Sequence, residues 1–337
     1  MKIAVVTINQ PSLDSACRLV EHLTEHQVDV YGKKDLQHNL ETLHLYQKLD
    51  DILAPAWKCY DAIIAILAMG AVVRKIAPLL EDKSTDPAVI VINLGLDKIV
   101  PLLSGHLGGA NELADEIASR IPNCINFIST ATDQTKTLAF EMLAKKRAWK
   151  IENLKALAKV SNRLLNKQIV KVATYPAVFE TIPNKDNLNL VDFKNVDLDT
   201  VVIDPSFVSN SLTFRPKVYL GIGCNRDTPV KEIEEAVGLF LTLHNLSMDE
   251  VENIASFEAK ADETGLLSFA KKHSFEIKFY EKDAINALEN EFSNSASTKF
   301  FGLKGVAEPS AVLVSKYREL LFKKEVYFKS VTVAGAI

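Results

Sequence analysis

The sequence predicts an α/β protein in three parts: an N-terminal domain with a doubly wound, largely parallel sheet, a small α+β middle module, and a separate C-terminal α/β domain. Short apolar runs alternate with longer helical patterns in the first half, which is typical of strand–helix units. A second such pattern begins near residue 217, after a stretch rich in Asn, Asp and Pro. The expected boundaries are 1–139, 140–215 and 216–337, and a chain of 337 residues is long enough for two or three domains.

In the N-terminal domain, apolar runs predict strands and the patterns between them predict helices. The predicted strands are residues 2–7, 27–31, 61–67, 88–93 and 126–129. The predicted helices include residues 12–25, 70–80 and 109–121. In a doubly wound sheet, ligands bind beyond the carboxyl ends of the strands. The residues that follow each strand are therefore the first candidates for a site.

The remaining chain shows two different patterns. Residues 135–158 are helical and basic, and residues 169–215 contain short β-like runs among Asn, Asp and Pro. The C-terminal domain opens with a strand at 217–223, continues with a helix over Val230–Leu243, and ends with a strand at 330–333. We expect the C-terminal domain to fold independently of the middle module.

Charge and composition exclude some classes of function. The formal net charge is -4, with 39 basic and 43 acidic residues, so no overall positive field attracts nucleic acid. No apolar run is long enough to span a bilayer, and the run at residues 3–8 is shorter than that of a signal peptide. The four cysteines form no Cys-x-x-Cys pair of a zinc or redox site. We expect a cytoplasmic protein that binds neither nucleic acid nor membranes.

The densest group of site-like residues is the turn at 103–111, which precedes a predicted helix. Glycines let a backbone approach a ligand closely, and the first amides of a helix form an anion site. His106 adds an acid or a base. A purely structural turn is the alternative. The residues assigned here to substrate binding are Ser104, Gly105, Gly108, Gly109 and Asn111.

Two further turns follow predicted strands. Gly70 and Arg74 come after the strand at 61–67, and Thr130 and Thr132 come after the strand at 126–129. For the threonines, a plain helix N-cap is the alternative. Because the carboxyl ends of parallel strands share one edge of a sheet, we expect the three turns to form one pocket.

Several short segments, taken in chain order, carry a resemblance to a known family. In the first half they are residues 69–74, 78–80, Lys83, 86–89, 103–114 and 130–133, and in the second half 221–228, 260–266 and 305–309. The set resembles the CbiG family, the cobalt-precorrin-5A hydrolases of anaerobic cobalamin biosynthesis. The chain departs from the family pattern before Gly95, where Asp-Glu is usual, and at Asp227, where glycine is common. No acid–base role is therefore expected near Gly95.

The resembling segments of the C-terminal domain add a second group of candidates. The candidate catalytic residues are Glu263, Glu308 and His106. A carboxylate can activate water, and the histidine is an acid or a base. Arg226 suits a substrate carboxylate or, like Lys260, a developing oxyanion. The alternatives are a surface ion pair for Glu263 and a helix N-terminal acid for Glu308. The substrate-binding candidates of this group are Gly223, Cys224, Arg226, Thr228 and Lys260, with Cys224 either a nucleophile or a pocket-lining thiol.

One motif points to a different chemistry. His22 and His26 fit the His-x-x-Glu-His pattern of some zinc peptidases, at the end of the predicted helix 12–25. Helical side chains four residues apart share a face, so both can bind one metal ion. No third ligand follows from the spacing. A zinc hydrolase is therefore the weaker alternative.

The resemblance implies a specific reaction. Water opens the δ-lactone of cobalt-precorrin-5A, and a two-carbon fragment leaves as acetaldehyde to give cobalt-precorrin-5B. The cobalt belongs to the corrinoid substrate, so the resemblance implies no metal or cofactor of the enzyme's own. Neighbouring methyltransferases of the pathway are candidate partners. The alternative from another class is a non-catalytic carrier that protects the labile corrinoid and hands it on.

Overall fold

The computed structural model describes residues 1–36, 40, 42–82, 85–130, 132, 135, 137–293 and 302–337. The chain divides into two compact units, Met1–Met142 and Leu143–Ile337. Among the described residues, the first unit contains one sheet and the second contains two. In the described part of the chain, no helix is both long enough and apolar enough to cross a membrane.

The first unit is built on a seven-stranded sheet with the order β3-β2-β1-β4-β5-β6-β7. Its strands are β1 (Lys2–Val6), β2 (Gln27–Lys33), β3 (Leu43–Tyr46), β4 (Ala62–Ala65), β5 (Ala88–Ile92), β6 (Lys98–Leu103) and β7 (Ile125–Asn126). Its helices are α1 (Gln10–Val20), α2 (Asp50–Cys59), α3 (Met69–Ile76) and α4 (Ala110–Arg120), and α5 (Phe140–Lys146) continues into the second unit.

Two of these seven strands run against the others. Strands β1 to β5 are parallel, β6 is antiparallel to β5, and β7 is parallel to β6. In the β5–β6 register, Leu103 at the end of β6 pairs with Val89 near the start of β5. The carboxyl ends of β6 and β7 therefore lie at the edge of the sheet where β1 to β5 begin.

The central strand β1 packs into a hydrophobic core on each face of the sheet. Ile3 and Val5 contact one core, and Ala4 and Val6 contact the other. All four residues are completely buried, as expected for a central parallel strand covered by helices on both faces. This confirms the doubly wound, largely parallel arrangement that the sequence predicts.

The predicted strands at 2–7, 27–31, 61–67 and 88–93 are confirmed with shifts of a few residues, whereas the one predicted at 126–129 overlaps the two-residue strand β7 only at Asn126, and β3 and β6 were not predicted. Strand β6 contains Pro101, which lacks an amide hydrogen and normally argues against an internal strand. The register between β5 and β6 is irregular between Val89 and Ile90, next to the Pro101 pair. The predicted helix 12–25 is also too long, because α1 ends at Val20 and Glu21 is its C-cap.

The second unit opens with a five-stranded sheet of order β10-β9-β11-β12-β8, in which only β8 is antiparallel to its neighbour. Its strands are β8 (Lys150–Glu152), β9 (Val170–Ala173), β10 (Leu188–Val191), β11 (Val201–Ile203) and β12 (Thr213–Arg215), and its helices are α6 (Leu157–Leu165) and α7 (Pro176–Glu180). The continuous helical pattern expected over 135–158 is wrong. Ala148 and Asn153 adopt positive φ angles of 53° and 58°, which a helix does not accommodate, and β8 lies between them.

The last sheet has the order β15-β14-β13-β17-β16. Its strands are β13 (Val218–Cys224), β14 (Val251–Phe257), β15 (Ile277–Tyr280), β16 (Leu320–Tyr327) and β17 (Val331–Ala336), and its helices are α8 (Val230–Leu243), α9 (Thr264–Lys272), α10 (Lys282–Asn286) and α11 (Ala307–Val314). A Cβ on Gly221 of β13 would lie 1.8 Å from the Ala307 carbonyl oxygen, so only glycine permits α11 to pack this closely. Arg215 of the middle sheet forms an ion pair with Glu250, which precedes β14.

Candidate functional site

The three turns expected to form one pocket do not lie at one edge of the sheet. Helix α3, which carries Gly70 and Arg74, begins after the carboxyl end of β4. The turn that starts at Ser104 follows β6, whose direction is reversed, so it lies at the opposite edge. Thr130 follows β7 and lies at the same edge as Ser104. The expectation of a single pocket is therefore wrong, because it assumed that every strand is parallel.

The turn after β6 is anchored by a buried aspartate. The Ser104 hydroxyl donates a hydrogen bond to the carbonyl oxygen of Asp86, at 2.9 Å. The Asp86 carboxylate accepts hydrogen bonds from Trp57 Nε1 at 3.3 Å and from the backbone amide of Glu81 at 3.1 Å. Ser104 itself has a positive φ of 54°, an uncommon conformation for a non-glycine residue. These contacts hold the turn against the start of β5.

The glycines of this turn are required by its own geometry. A Cβ on Gly108 would lie 2.4 Å from the Ser104 Cβ and 2.8 Å from the Ser104 carbonyl oxygen. Gly109 has a φ of 86°, which L side chains rarely adopt, and it is the N-cap of α4. Both positions therefore need glycine to close the turn, whether or not a ligand approaches it.

His106, which is half-buried, pairs with a buried glutamate from α5. Its Nδ1 atom lies 2.8 Å from Glu141 Oε1, and its Nε2 atom lies 3.4 Å from the Thr132 hydroxyl. The His106 side chain is 13% exposed and that of Glu141 is 9% exposed. A carboxylate only accepts hydrogen bonds, so Nδ1 carries the proton of this contact. The pair has the geometry of a histidine base held by a carboxylate.

Glu141 was missed by the sequence reasoning. It lies 35 residues beyond His106, within a stretch interpreted only as helical and basic. Its second oxygen, Oε2, is buried and accepts no hydrogen bond from the described residues. A buried carboxylate oxygen without a donor is costly, and such groups cluster at functional sites. An acidic residue in the first turn of α5 was the only sequence signal, and such residues are common at helix starts.

Asn111 and Gly105 brace the same turn. Asn111 is buried, its amide donates a hydrogen bond to Thr130 Oγ1 at 3.2 Å, and its backbone amide donates to the Gly105 carbonyl at 3.0 Å. A Cβ on Gly105 would lie 2.7 Å from Asn111 Oδ1. The structure therefore brings Ser104, Gly105, His106, Asn111 and Thr130 together, and their substrate contacts stay predictions.

Gly70 and Arg74 form a separate and simpler feature. The Arg74 guanidinium donates a hydrogen bond to the Gly70 carbonyl oxygen at 3.2 Å within α3. A Cβ on Gly70 would meet only Arg74 Nη1, at 3.4 Å, so the position does not require glycine. Lys83, Ala131 and Asp133, which contribute to the family resemblance, lie outside the described residues.

In the C-terminal domain, a buried glutamate organises the residues that follow β13 and β14. The carboxylate of Glu263 accepts hydrogen bonds from the Asp227 amide at 3.0 Å and from Lys260 Nζ at 3.1 Å. Arg226 Nε lies 3.1 Å from the same carboxylate, and the guanidinium also pairs with Asp262. Glu263 is 3% exposed, whereas Arg226 is 55% exposed. The structure thus brings three of the predicted site residues together around one carboxylate.

Cys224, at the end of β13, lies beside this cluster. Burial raises the pKa of its thiol to about 11, with Lys260 and Arg226 opposing the effect and Glu263 adding to it. The thiol is therefore protonated near neutral pH, which favours the pocket-lining interpretation over a nucleophile. Gly223 packs against Thr332, and the Thr228 hydroxyl donates to the Asn225 carbonyl at 2.9 Å.

Glu308 belongs to a different set of contacts. Its carboxylate accepts hydrogen bonds from the Ser293 amide and hydroxyl, both at 2.7 Å, and from the Lys324 amide at 2.9 Å. Burial raises the pKa of this carboxyl, but the hydrogen bonds from Lys324 and Ser293 outweigh burial and leave the pKa below its ordinary value. These contacts favour a structural anion at the start of α11. The catalytic roles of Glu263 and Glu308 stay predictions.

The two histidines of the His-x-x-Glu-His pattern do not share a helix face. Both follow the end of α1 at Val20. His26 Nε2 lies 2.9 Å from Glu116, and its Nδ1 lies 3.2 Å from the amino group of Met1. Among the residues that the structure describes, no three His, Cys, Asp or Glu side chains are arranged to hold a metal ion.

Comparison with known proteins gives the family. The family model described as "Cobalamin synthesis G N-terminal" matches residues 51–133, and the model described as "Cobalamin synthesis G C-terminus" matches residues 218–336. A protein of Priestia megaterium named cobalt-precorrin-5A hydrolase is 30% identical, over 93% of this chain and 88% of that protein. A protein of Salmonella typhimurium with the same name is 30% identical, over 77% of this chain and 78% of that protein.

A solved structure is similar along the whole chain. It is a crystal structure of a cobalamin biosynthesis protein G homologue from Sulfolobus solfataricus, with 20% identity and a TM-score of 0.40, and the match covers 99% of this chain and 96% of that one. The two family models and the relatives that match at 30% identity over most of the chain agree with the segments identified in the sequence. This chain belongs to the CbiG family of cobalamin synthesis proteins.

Proposed function

We propose that this chain is a cobalt-precorrin-5A hydrolase that opens the δ-lactone of its substrate and releases acetaldehyde, leaving cobalt-precorrin-5B. The names of the relatives from Priestia megaterium and Salmonella typhimurium support the substrate. The observation that carries the chemistry is the pair of His106 and Glu141, 2.8 Å apart at the turn after β6. Lactone opening needs a base that takes a proton from water, and this pair provides one.

In the proposed first step, His106 Nε2 removes a proton from a water molecule that attacks the lactone carbonyl carbon. Glu141 stabilises the positive charge that forms on the imidazole. Within the described part of the chain, no group accepts a hydrogen bond from the amides of Leu107 and Gly108, and we assign them to the oxyanion of the tetrahedral intermediate. The protonated imidazole then gives its proton to the departing ring oxygen, which yields a carboxylic acid and a hydroxyl group, and the acid loses its proton to solvent.

In the proposed second step, the new hydroxyl group loses its proton and its carbon becomes the carbonyl carbon of acetaldehyde. The electron pair of the broken carbon–carbon bond stays on the macrocycle, which takes up a proton. The two steps together consume one water molecule and release one acetaldehyde. The neutral His106 ring regenerated by the first step can accept the second proton.

The remaining parts of the proposal follow from family membership. The cobalt ion is part of the substrate, and we assign no metal or cofactor to the protein itself. We place the reaction in the cytoplasm, and we expect methyltransferases of the same pathway to supply the substrate and receive the product. We assign Glu263 to holding Arg226 through an ion pair. We assign Glu308 to holding the start of α11, because its carboxylate oxygens already accept hydrogen bonds from Ser293 and Lys324.

The test is acetaldehyde release from cobalt-precorrin-5A by the purified protein under single-turnover conditions. If His106 is the base, His106→Gln should lower the rate roughly 100-fold to 10,000-fold while corrinoid binding persists. His26→Gln is a matched control, because His26 is 11% exposed and lies 2.9 Å from Glu116 without belonging to the proposed site. If the wild-type protein binds the corrinoid but releases no acetaldehyde, the result would contradict an enzymatic role and support the alternative of a non-catalytic carrier.

A further inference from the structure

A basic cleft in the second unit lies outside the site already described. It has a volume of about 200 Å³ and lies between the end of α5 and the segments around β13 and β16. The residues that line it are Lys146, Arg147, Ala148, Trp149, Pro216, Lys217, Tyr219, Glu252, Lys316 and Tyr317. Six of them, at 146–149 and 216–217, fall outside the two matches to the family models.

The charges that line the cleft are unbalanced. Four basic side chains face one carboxylate, and that carboxylate, Glu252, pairs with Lys217 at 3.1 Å. Lys146, Arg147 and Lys316 form no ion pair with a described acidic residue. Like charges gathered around one cavity repel each other, and a bound anion relieves this repulsion.

The arginine of the cleft is held in place before any ligand binds. Arg147 Nη1 donates hydrogen bonds to Thr181 Oγ1 at 2.9 Å and to the Tyr317 hydroxyl at 3.3 Å, and Nη2 donates to the Thr181 carbonyl. The guanidinium lies 5.0 Å from the ring centroid of Trp149, which is buried. A guanidinium has five N–H donors, so two remain after these contacts with the described residues. A fixed cation loses little entropy when it binds an anion.

Lys316 is an exposed cation at the same cleft. Its ammonium lies 5.6 Å from the ring centroid of Tyr317, the same side chain whose hydroxyl group contacts Arg147. Burial raises the pKa of Tyr317, and the nearby Arg147 opposes this effect. Tyr317 therefore lies next to two of the unbalanced cations at this cleft.

We propose that this cleft binds a small oxyanion, either a carboxylate or a phosphate group, with Arg147, Lys146 and Lys316 as its ligands. The volume of about 200 Å³ admits such a group and excludes a whole tetrapyrrole. The oxyanion is either one carboxylate arm of the macrocyclic substrate or a free phosphate-containing compound. Only the first of these sources rests on the proposed function.

The experiment is a calorimetric titration of the full-length protein with inorganic phosphate and, separately, with succinate. Lys146→Gln combined with Lys316→Gln should weaken both affinities at least about tenfold, since both lysines are exposed and the fold does not depend on them. Lys271→Gln is the control, because it removes an exposed lysine of α9 that does not line the cleft. Phosphate and succinate should displace one another.

Two results would overturn the proposal: no saturable binding of either anion up to about 10 mM, or equal affinities in the double variant and the wild type. A comparison of the KM for cobalt-precorrin-5A between the wild type and the double variant then distinguishes a substrate arm from a free oxyanion. If phosphate competes with the corrinoid and the double variant raises KM, the ligand is a substrate arm. If anion binding is lost and KM is unchanged, the ligand is a free oxyanion. The titration needs no turnover, so it stands even where acetaldehyde release fails.

Discussion

Nδ1 of His106 lies 2.8 Å from Oε1 of Glu141, and the other oxygen of that carboxylate is buried and accepts no hydrogen bond from the described residues. The carboxylate therefore contributes to the protein mainly through the imidazole. Its negative charge orients the ring and stabilises the ring's protonated form. This makes Glu141 a positioning residue whose effect on the reaction passes through His106.

Glu141→Gln keeps the shape of the side chain and removes its charge. We expect the turnover number to fall roughly 10-fold to 1,000-fold with little change in KM, because the protonated imidazole loses its partner in the transition state. The same loss should move the acid limb of the pH–rate profile to lower pH. A purely structural role would change stability and leave that limb in place.

Gly108→Ala should damage the turn, and Gly70→Ala should not. The new methyl group on residue 108 would lie 2.4 Å from the Ser104 Cβ, whereas on residue 70 it would meet only the flexible end of Arg74 at 3.4 Å. We expect Gly108→Ala to reduce the rate of acetaldehyde release at least about tenfold by displacing His106. Gly70→Ala should match the wild type or be slightly more stable. If Gly108→Ala and Gly70→Ala release acetaldehyde at equal rates, the position of the turn does not affect the reaction.

Cys224 should react slowly with iodoacetamide at neutral pH. A pKa of about 11 in place of 9.0 lowers the thiolate fraction roughly 100-fold, and burial slows access further. Cys59, which is exposed, serves as the internal reference. Peptide mapping by mass spectrometry after timed alkylation measures both rates. If Cys224 is modified as fast as Cys59, the result would contradict a protonated, half-buried thiol at position 224.

Glu308→Gln should lower the free energy of unfolding and leave the turnover number unchanged. An amide cannot accept all the hydrogen bonds from Ser293 and Lys324, so we expect a loss of about 1–3 kcal/mol in the free energy of unfolding. Urea unfolding measures this loss, and Glu325→Gln, an exposed change on β16, is the control. A large loss of turnover in a stable Glu308→Gln variant would instead make Glu308 the base.

The stability that the ionised Glu308 provides should depend on pH with a definite sign. Its pKa is lowered in the folded protein, so its contribution is complete above the ordinary value of 4.5 and is lost as pH falls through the lower folded value. The difference in unfolding free energy between the wild type and Glu308→Gln should therefore shrink in acid. A difference that stays constant from neutral to about pH 3 would argue against an ionised carboxylate.

Removal of metal ions should not abolish the proposed reaction. The only metal-binding pattern in the sequence is that of His22 and His26, which lie beyond the end of α1. We expect acetaldehyde release to survive exhaustive treatment with a chelator, and His22→Ala combined with His26→Ala to stay near the wild-type rate. Stoichiometric zinc whose removal stops turnover, and whose return restores it, would sink this prediction.

The pattern of apolar runs was sufficient to predict the strand–helix architecture, because such periodicity reflects local burial. Strand β1 is completely buried from Ile3 to Val6, and α8 occupies the predicted residues Val230–Leu243. Strand β6 was not predicted, because it contains Pro101 and proline is uncommon inside a strand. That single omission reversed the expected position of the turn at Ser104, since β6 runs against β5.

By itself, the sequence determined the α/β class, the turn that carries His106 and the resemblance to the CbiG family, all of which are properties of short contiguous segments. Only the tertiary structure decided which turns share an edge and which carboxylate holds His106. The physical reason is that strand direction and the pairing of side chains 35 residues apart depend on long-range packing. No local periodicity or spacing encodes the contact between His106 and Glu141, so it becomes visible only once α5 packs beside the turn.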